Sequence, residues 1–290
     1  MIIDGHMHIG KQDLISADMV DFLKKKGIWD KMKYWLSLEG VIEALDEAGI
    51  EKGVIFPLTF PNDQHRMQDL NDLTASYVQA QPQRLIGYAV IHPKQIEASL
   101  RELDRAINQL KLSGIKLHPS MQEFYPNDPN FAPIFEYAQE KQIVVLCHTG
   151  AATSSHVDKY SCPIILDEIA VKFPRVHLII AHAGRPFYAE AALLLRKHTN
   201  VYADISANVG RRDGEALLSF VLLALQVYAG AARRLIFGSD YPIFSPKEFL
   251  EQFQRAIKNS LAEKLGLTAI SNEEADSILG QNLADILSTH

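Results

Sequence analysis

Eight short apolar runs, each followed by a stretch with helical spacing, constrain the fold more than any other property of this sequence. The first run is Ile2-Ile3-Asp4-Gly5-His6-Met7-His8-Ile9, and further strands are predicted over 53–58, 85–91, 115–118, 143–148, 176–182, 201–206 and 234–239. Helices are predicted over 39–48, 69–80, 95–110, 130–140, 162–173, 186–198, 214–228 and 246–258, with a last one over 273–287. Near-continuous apolar runs belong to parallel strands that are covered on both faces. Eight strand–helix units in 290 residues predict an α/β protein, a (β/α)8 TIM barrel in a single domain over 1–290. An open doubly wound sheet is the alternative, and no Gly-x-Gly-x-x-Gly turn follows the first strand to support it.

The stretch 11–38 is too long for a plain strand–helix loop and carries Trp29, Tyr34 and Trp35. Long insertions in compact domains are usually lids or binding loops, so short helices over a cleft are expected there. The most apolar run, 216–232, is short for a membrane span and reads as a buried helix. A net charge of −6 leaves no basic footprint for nucleic acid or an anionic membrane, which favours a small-molecule partner. A homo-oligomer would use the apolar helix or the aromatic insertion as its face. With only Cys147 and Cys162, and an opening that runs straight into a strand, free thiols in a reducing cytoplasm are expected.

In such a barrel the active site forms at the C-terminal ends of the strands. Here those ends carry His6 and His8 on the first strand, Lys116 and His118 on the fourth, His148 on the fifth, His182 on the sixth and Asp240 on the eighth. The third ends near His92 and the seventh at Asp204 or Ser206. Four chosen slots all holding histidine has odds on the order of 10⁻⁶ before allowing for the choice of slots, so chance is a poor account of the set. His6 and His8, at i and i+2 on a strand, face the same way, as two ligands of one ion must. Neutral imidazole is the commonest protein ligand for zinc and its first-row neighbours. His65, His92 and His156 are placed on loops as surface or substrate contacts, and His177, His198 and His290 are assigned no chemistry.

The ordered set Asp4-Gly5-His6-Met7-His8, Gly114-Ile115-Lys116-Leu117-His118-Pro119, Cys147-His148-Thr149-Gly150, Ile180-Ala181-His182-Ala183-Gly184 and Phe237-Gly238-Ser239-Asp240-Tyr241-Pro242 resembles the strand-end motifs of the amidohydrolase superfamily. It is most similar to the amidohydrolase-related branch, which includes aminocarboxymuconate semialdehyde decarboxylase, other decarboxylases, lactonases and hydratases. The resemblance runs from Asp4 to Gly280-Gln281-Asn282 and is specific to the superfamily rather than to one substrate. Departures are small: Arg185-Pro186 after the sixth-strand motif, and Leu283-Ala284-Asp285 in the last helix.

The resemblance implies a metal held by His6, His8, His148 and Asp240, with His182 beside it as a catalytic residue. Three imidazoles and a carboxylate leave an open position for water on zinc, with manganese or iron as alternatives. Asp240 would then touch the metal and take the proton of the water, while His182 would polarise a carbonyl or donate a proton. In binuclear relatives a lysine placed like Lys116 is carboxylated and bridges two ions; a single metal is expected here, with Lys116, His118 and Arg185 as substrate contacts. Arg185, Arg211 and Arg212 offer planar forks suited to a carboxylate, so a carboxylate-bearing substrate is expected, with a ring stacked on Trp29, Tyr34 or Trp35. Arg211 and Arg212 serve equally well as solvated surface charges. The leading expectation is a metal-dependent hydrolase of a C–O or C–N bond. Nonoxidative decarboxylation at the same site is its rival, and a barrel that binds a metabolite without turning it over is the alternative from another class.

Overall fold

Among the described residues, eight parallel strands hydrogen-bond in chain order: β1 (Ile3–Ile9), β2 (Lys52–Pro57), β3 (Leu85–Val90), β4 (Gly114–Leu117), β5 (Val144–Cys147), β6 (Leu178–Ile180), β7 (Val201–Asp204) and β8 (Leu235–Ile236). The computed structural model describes residues 1–15, 17–60, 64–152, 156–208, 214–258 and 261–288. The first and last strands are joined through an irregular seam: Gly5 N donates to Phe237 O at 2.9 Å, Asp240 N to His6 O at 2.9 Å and His8 N to Tyr241 O at 2.7 Å. The chain is a (β/α)8 barrel, with its helices on the outside.

In chain order the helices of the described residues are α1 (Ala17–Lys25), α2 (Trp29–Trp35), α3 (Leu38–Ala48), α4 (Gln64–Ala80), α5 (Ile96–Asn108), α6 (Pro119–Gln122), α7 (Ala132–Glu140), α8 (Leu166–Lys172), α9 (Tyr188–Lys197), α10 (Gly214–Ala229), α11 (Pro246–Lys258), α12 (Leu261–Lys264), α13 (Asn272–Asp276) and α14 (Asn282–Leu287). Local signals set many of their ends. The Ser37 side chain caps α3 by accepting from Gly40 N, and Gly49 at φ 66° stops that helix. A reciprocal Ser271–Glu274 capping box opens α13. A π-helical turn, Ser277–Gln281, links α13 to α14. Its Ile278 carbonyl accepts from Phe237 N at 2.9 Å, and the Asn282 amide donates to Ala232 O and Leu235 O, so the chain's last helical segment is tied to β8.

Strand alternation divides the core in two. Val54, Phe56, Tyr88, Val144, Leu146, Ile179 and Ile236 pack in one cluster with Ile3, Leu283 and Ile286. Ile55, Ala89, Ile115, Leu117, Val145, Leu178, Ile180 and Ala203 pack in the other, against the helices. The first strand changes face part-way. Asp4 pairs with Gly53 and Met7 with Ile55, so three steps on β1 match two on β2. This bulge inserts one residue and reverses the alternation beyond it. Ile3 therefore joins the inner cluster while Met7 and Ile9 face the helices. His6 and His8 turn inward onto the Phe56 ring, with ring centroids 5.0 Å and 4.9 Å away.

The strands are shorter than their apolar runs, so several of the strand-end side chains sit in the turn just beyond. His182 lies in the 3-10 turn Ala181–Gly184, and Asp240 four residues after β8. Helix α4 begins earlier than the spacing predicts, which places the exposed His65 on a helix rather than a loop. Helix α10 is not wholly buried: it lies in the outer ring against α9 and α11, leaving Phe220, Val227 and Tyr228 about half exposed. Among the described residues no helix is long and apolar enough to cross a membrane.

Stretch 11–38 forms a short 3-10 turn (Gln12–Leu14), α1 and α2, and packs its own small core of Ile15, Leu23, Trp29, Met32 and Leu36. Gly10 N bonds to Leu36 O at 3.0 Å, joining the two ends of the excursion. Thr59 Oγ1 donates to Leu14 O, fastening it beside the end of β2.

Gly114 on β4 leaves room for the Tyr88 ring, because a Cβ there would lie 2.7 Å from two ring carbons and 3.0 Å from Val144 O. Neither neighbour can retreat from the barrel wall. Gly114→Ala is expected to destabilise the protein by about 1–3 kcal/mol, read as a lower denaturation midpoint at unchanged slope; an unchanged midpoint would show that the wall can give.

Candidate metal centre and active site

Seven of the strand-end residues are buried at the same barrel end: His6, His8, Lys116, His118, His148, His182 and Asp240 are each at most 8% exposed, whereas His92 is only partly buried. Asp240 Oδ1 lies 3.2 Å from His8 Nε2 and 3.5 Å from His6 Nε2. These three side chains place ligand atoms within 4.8 Å of one another, compact enough to hold one ion. His148 is one step removed. Its Nδ1 is 3.2 Å from His182 Nε2, and its ring stacks on His118 with centroids 3.7 Å apart. Its Nε2 is buried without a hydrogen-bond partner among the described residues. Two imidazoles and a carboxylate, with the orphaned His148 nitrogen buried at the same barrel end, are a donor set that suits a first-row divalent ion, so the residues present fit such a metal.

Burial is the main electrostatic cause throughout. It holds His6, His118, His148 and His182 well below the ordinary imidazole range, with Lys116 or a neighbouring imidazole adding to the effect. Neutral imidazole is the form that binds metal. Lys116 is itself pushed down to about 8 by burial, partly offset by Asp204 and Asp240. Its Nζ stands 3.4 Å from His6 Nε2 and 4.7 Å from the centre of the Phe56 ring. Cys147 is buried and its thiol pushed up to about 12 by burial, which leaves it inert as a nucleophile.

Two buried residues at the end of β7 that the sequence reading named without a role sit at the centre of the network. Asp204 Oδ2 is 3.0 Å from His6 Nδ1, and Oδ1 accepts from His182 N at 3.0 Å. Ser206 Oγ donates to Asp204 Oδ1 and lies 2.8 Å from His182 Nδ1. The same rule that marked the other strand ends marks this one; no recognised motif assigned it work. Backbone strain also concentrates here, since the non-glycine residues His182 and Asp240 adopt φ of 57° and 69°.

The substrate-side residues are placed less uniformly. His118 Nδ1 accepts from Met121 N as the cap of α6, fixing the ring that stacks on His148. One guanidinium nitrogen of Arg185 donates to Ala207 O. Trp29 is consumed by the small core of the insertion, and the exposed Tyr34 bonds Glu43 through its hydroxyl, so neither ring is shown facing the site. Arg211 and Arg212 lie outside the described residues.

A parallel eight-stranded barrel with histidines and a carboxylate converging at one end defines a metal-site barrel of the amidohydrolase kind. The family described as Amidohydrolase matches residues 3–287, and the chain belongs to this family of enzymes. The 2-amino-3-carboxymuconate-6-semialdehyde decarboxylase of Dictyostelium discoideum is 26% identical over 136 residues, a match that spans 41% of this chain and 38% of that relative. Among solved structures, a dihydroxybenzoic acid decarboxylase from Polaromonas with bound manganese and 2-nitroresorcinol is similar at TM-score 0.78 and 18% identity, over 99% of this chain and 96% of that one. A 5-carboxyvanillate decarboxylase from Novosphingobium aromaticivorans, complexed with manganese, is similar at TM-score 0.75 and 16% identity, over 99% and 96% of the two chains. At such identities these two likenesses show the fold.

Two outcomes are expected. Chelator-treated protein should take up one divalent ion per chain, and Asp240→Ala or His148→Ala should weaken that binding at least tenfold in a chelator competition with circular dichroism unchanged. The metal-free protein should also lose stability on acidification. Four imidazoles held below 6.5 bind fewer protons folded than unfolded, so their contribution is present above 6.5 and lost as pH falls. Asp4, pushed up to about 7 by burial, acts in the opposite direction as one group against four. Tm should therefore fall between pH 7 and 5; a flat profile would mean the rings are not held neutral.

Proposed function

We propose that this protein is a metal-dependent nonoxidative decarboxylase of a small aromatic or enoic carboxylate. The observation that carries the proposal is the convergence of His6, His8 and Asp240, with the orphaned Nε2 of His148 next to His182, at the barrel end. Its direction comes from the relatives, whose names are those of decarboxylases acting on dihydroxybenzoate, carboxyvanillate and aminocarboxymuconate semialdehyde. The sequence alone put hydrolysis first; these likenesses support moving decarboxylation ahead of it.

In this reading His6, His8, His148 and Asp240 hold one divalent ion, manganese or zinc by donor chemistry and by the manganese of the similar structures. The bound ion supplies Lewis acidity toward substrate oxygens. The carbon–carbon bond to the carboxylate breaks, carbon dioxide leaves, and the electron pair left on the substrate carbon takes up a proton. His182 Nε2, an acceptor in the resting ring and 3.2 Å from His148 Nδ1, is where this proton would be taken up and passed on. Lys116, His118 and Arg185 contact the substrate, and the joined excursion over 11–38 at the end of β1 acts as the lid.

The test is a panel of lactones, hydroxybenzoates and enoic acids offered to manganese- and zinc-loaded protein, with carbon dioxide and acid release followed in parallel. Carbon dioxide from a carboxylate is expected; acid released from a lactone without carbon dioxide would overturn the proposal in favour of hydrolysis. Failure to bind any divalent metal would favour a non-catalytic barrel. On the substrate found, His182→Asn should lower kcat by about 10²–10⁴, and Arg185→Ala should raise KM; an unchanged KM would remove Arg185 from the substrate contacts.

A further inference from the structure

Asp204 is fully buried, and as a carboxylate it can only accept hydrogen bonds. Its Oδ1 takes His182 N and Ser206 N, each at 3.0 Å, together with the Ser206 hydroxyl. Its Oδ2 takes His6 Nδ1 at 3.0 Å, so the His6 proton sits on Nδ1. Ser206 has one hydroxyl proton, directed at Asp204, so toward His182 Nδ1 at 2.8 Å its oxygen can only accept. His182 therefore also carries its proton on Nδ1. A neutral ring has one N–H, which leaves His182 Nε2 as an acceptor for His148 Nδ1 at 3.2 Å. The proton of His148 is then on Nδ1 as well, and its Nε2 is the lone-pair end, the same atom that is buried without a partner.

We infer that Asp204 is a positioning residue: through direct contact with His6, and through Ser206 and His182 to His148, this one carboxylate sets the tautomers that turn the Nε2 lone pairs of His6 and His148 toward a cation. A neutral imidazole carries one N–H, so the donor count passes from ring to ring along these contacts. His6, His182 and Asp204 are themselves close enough to hold an ion. Asp204 is filled by four hydrogen-bond donors, however, which commits its oxygens to the network. The arrangement is the carboxylate–histidine–metal relation extended over three rings, and disturbing such partners costs roughly 10–100-fold in metal affinity.

The inference rests on the metal-ligand reading only for its affinity arm, and it needs no substrate, so its failure is separable from failure of the decarboxylase proposal. Asp204→Asn keeps the shape of the side chain. The three donors at Oδ1 hold the amide oxygen there and turn the NH2 toward His6 Nδ1, which must become an acceptor. In chelator-treated protein labelled with ¹⁵N-histidine, the wild type should show His6, His148 and His182 as Nδ1–H tautomers. D204N should switch His6 to the Nε2–H form and weaken manganese and zinc binding about 10–100-fold in a chelator competition. Ser206→Ala should change the signals of His182 and His148 while His6, whose Nδ1 is 3.4 Å from Ser206 Oγ but 3.0 Å from Asp204 Oδ2, keeps its Nδ1–H tautomer, and decides the matter if D204N does not fold. Wild-type His6 protonated on Nε2, or unchanged tautomers in S206A and in folded D204N, would overturn the inference.

Discussion

The seam between β8 and β1 is the contact on which the site depends. Residues more than two hundred positions apart are stitched by Gly5–Phe237, Asp240–His6 and His8–Tyr241 backbone bonds. The middle one matters most, because Asp240 N bonding to His6 O brings the aspartate side chain alongside the two imidazoles of β1. Asp4 adds a second stitch: its buried Oδ1 accepts from His6 N and Ser239 N, on either side of the seam. Burying a carboxylate there is costly, and these backbone donors offset part of that cost. Close approach requires small residues. A Cβ on Gly238 would lie 2.9 Å from that of His6, and one on Gly5 would lie 2.8 Å from the Ile236 side chain.

At this barrel end several unfavourable features gather. The non-glycine residues His182, Ala183, Ala207 and Asp240 sit at positive φ, a lysine is fully buried, and the His148 Nε2 has no partner among the described residues. Each of these is unfavourable for folding taken alone. They occur together, at the end of the barrel where the strands stop, and the surrounding wall is apolar and closely packed. Such clustering is what a site preorganised for charge looks like: the stability of the rest of the barrel over-determines a geometry that no local preference would choose.

The barrel was legible in the sequence because its signal is redundant: eight apolar runs with intervening helical periods specify the topology even where each boundary is off by a few residues. The strand-end residues were legible for the same reason, since chemistry-bearing side chains interrupt runs that are otherwise apolar. The bulge in β1 was not. Alternation says that His6 and His8 share a face, but only the extra residue between Asp4 and Met7 decides that this face is the inner one. Nor was the work of Asp204 and Ser206 legible, because it consists of hydrogen bonds to side chains and backbone on other strands. What the aromatic residues of 11–38 do was only partly legible: an insertion must first bury something of its own, and Trp29 does that.

Family membership and ligand set leave the choice between breaking a carbon–carbon bond and hydrolysing a C–O or C–N bond to the walls of the site. The proposed metal donors come from strand ends and the turns just beyond them, anchored by ladder or seam bonds. The groups that would meet the rest of a substrate are held by separate local devices. His118 is held by its role as a helix cap, Arg185 by the Ala207 carbonyl, and the excursion over 11–38 by the Gly10–Leu36 bond. Each device belongs to a different loop, and only His118, stacked on His148, touches a proposed metal donor directly. On the proposed reading, substrate discrimination resides in the loops after β1, β4 and β6, and a change of substrate would be reached by altering those contacts while the seam stays as it is.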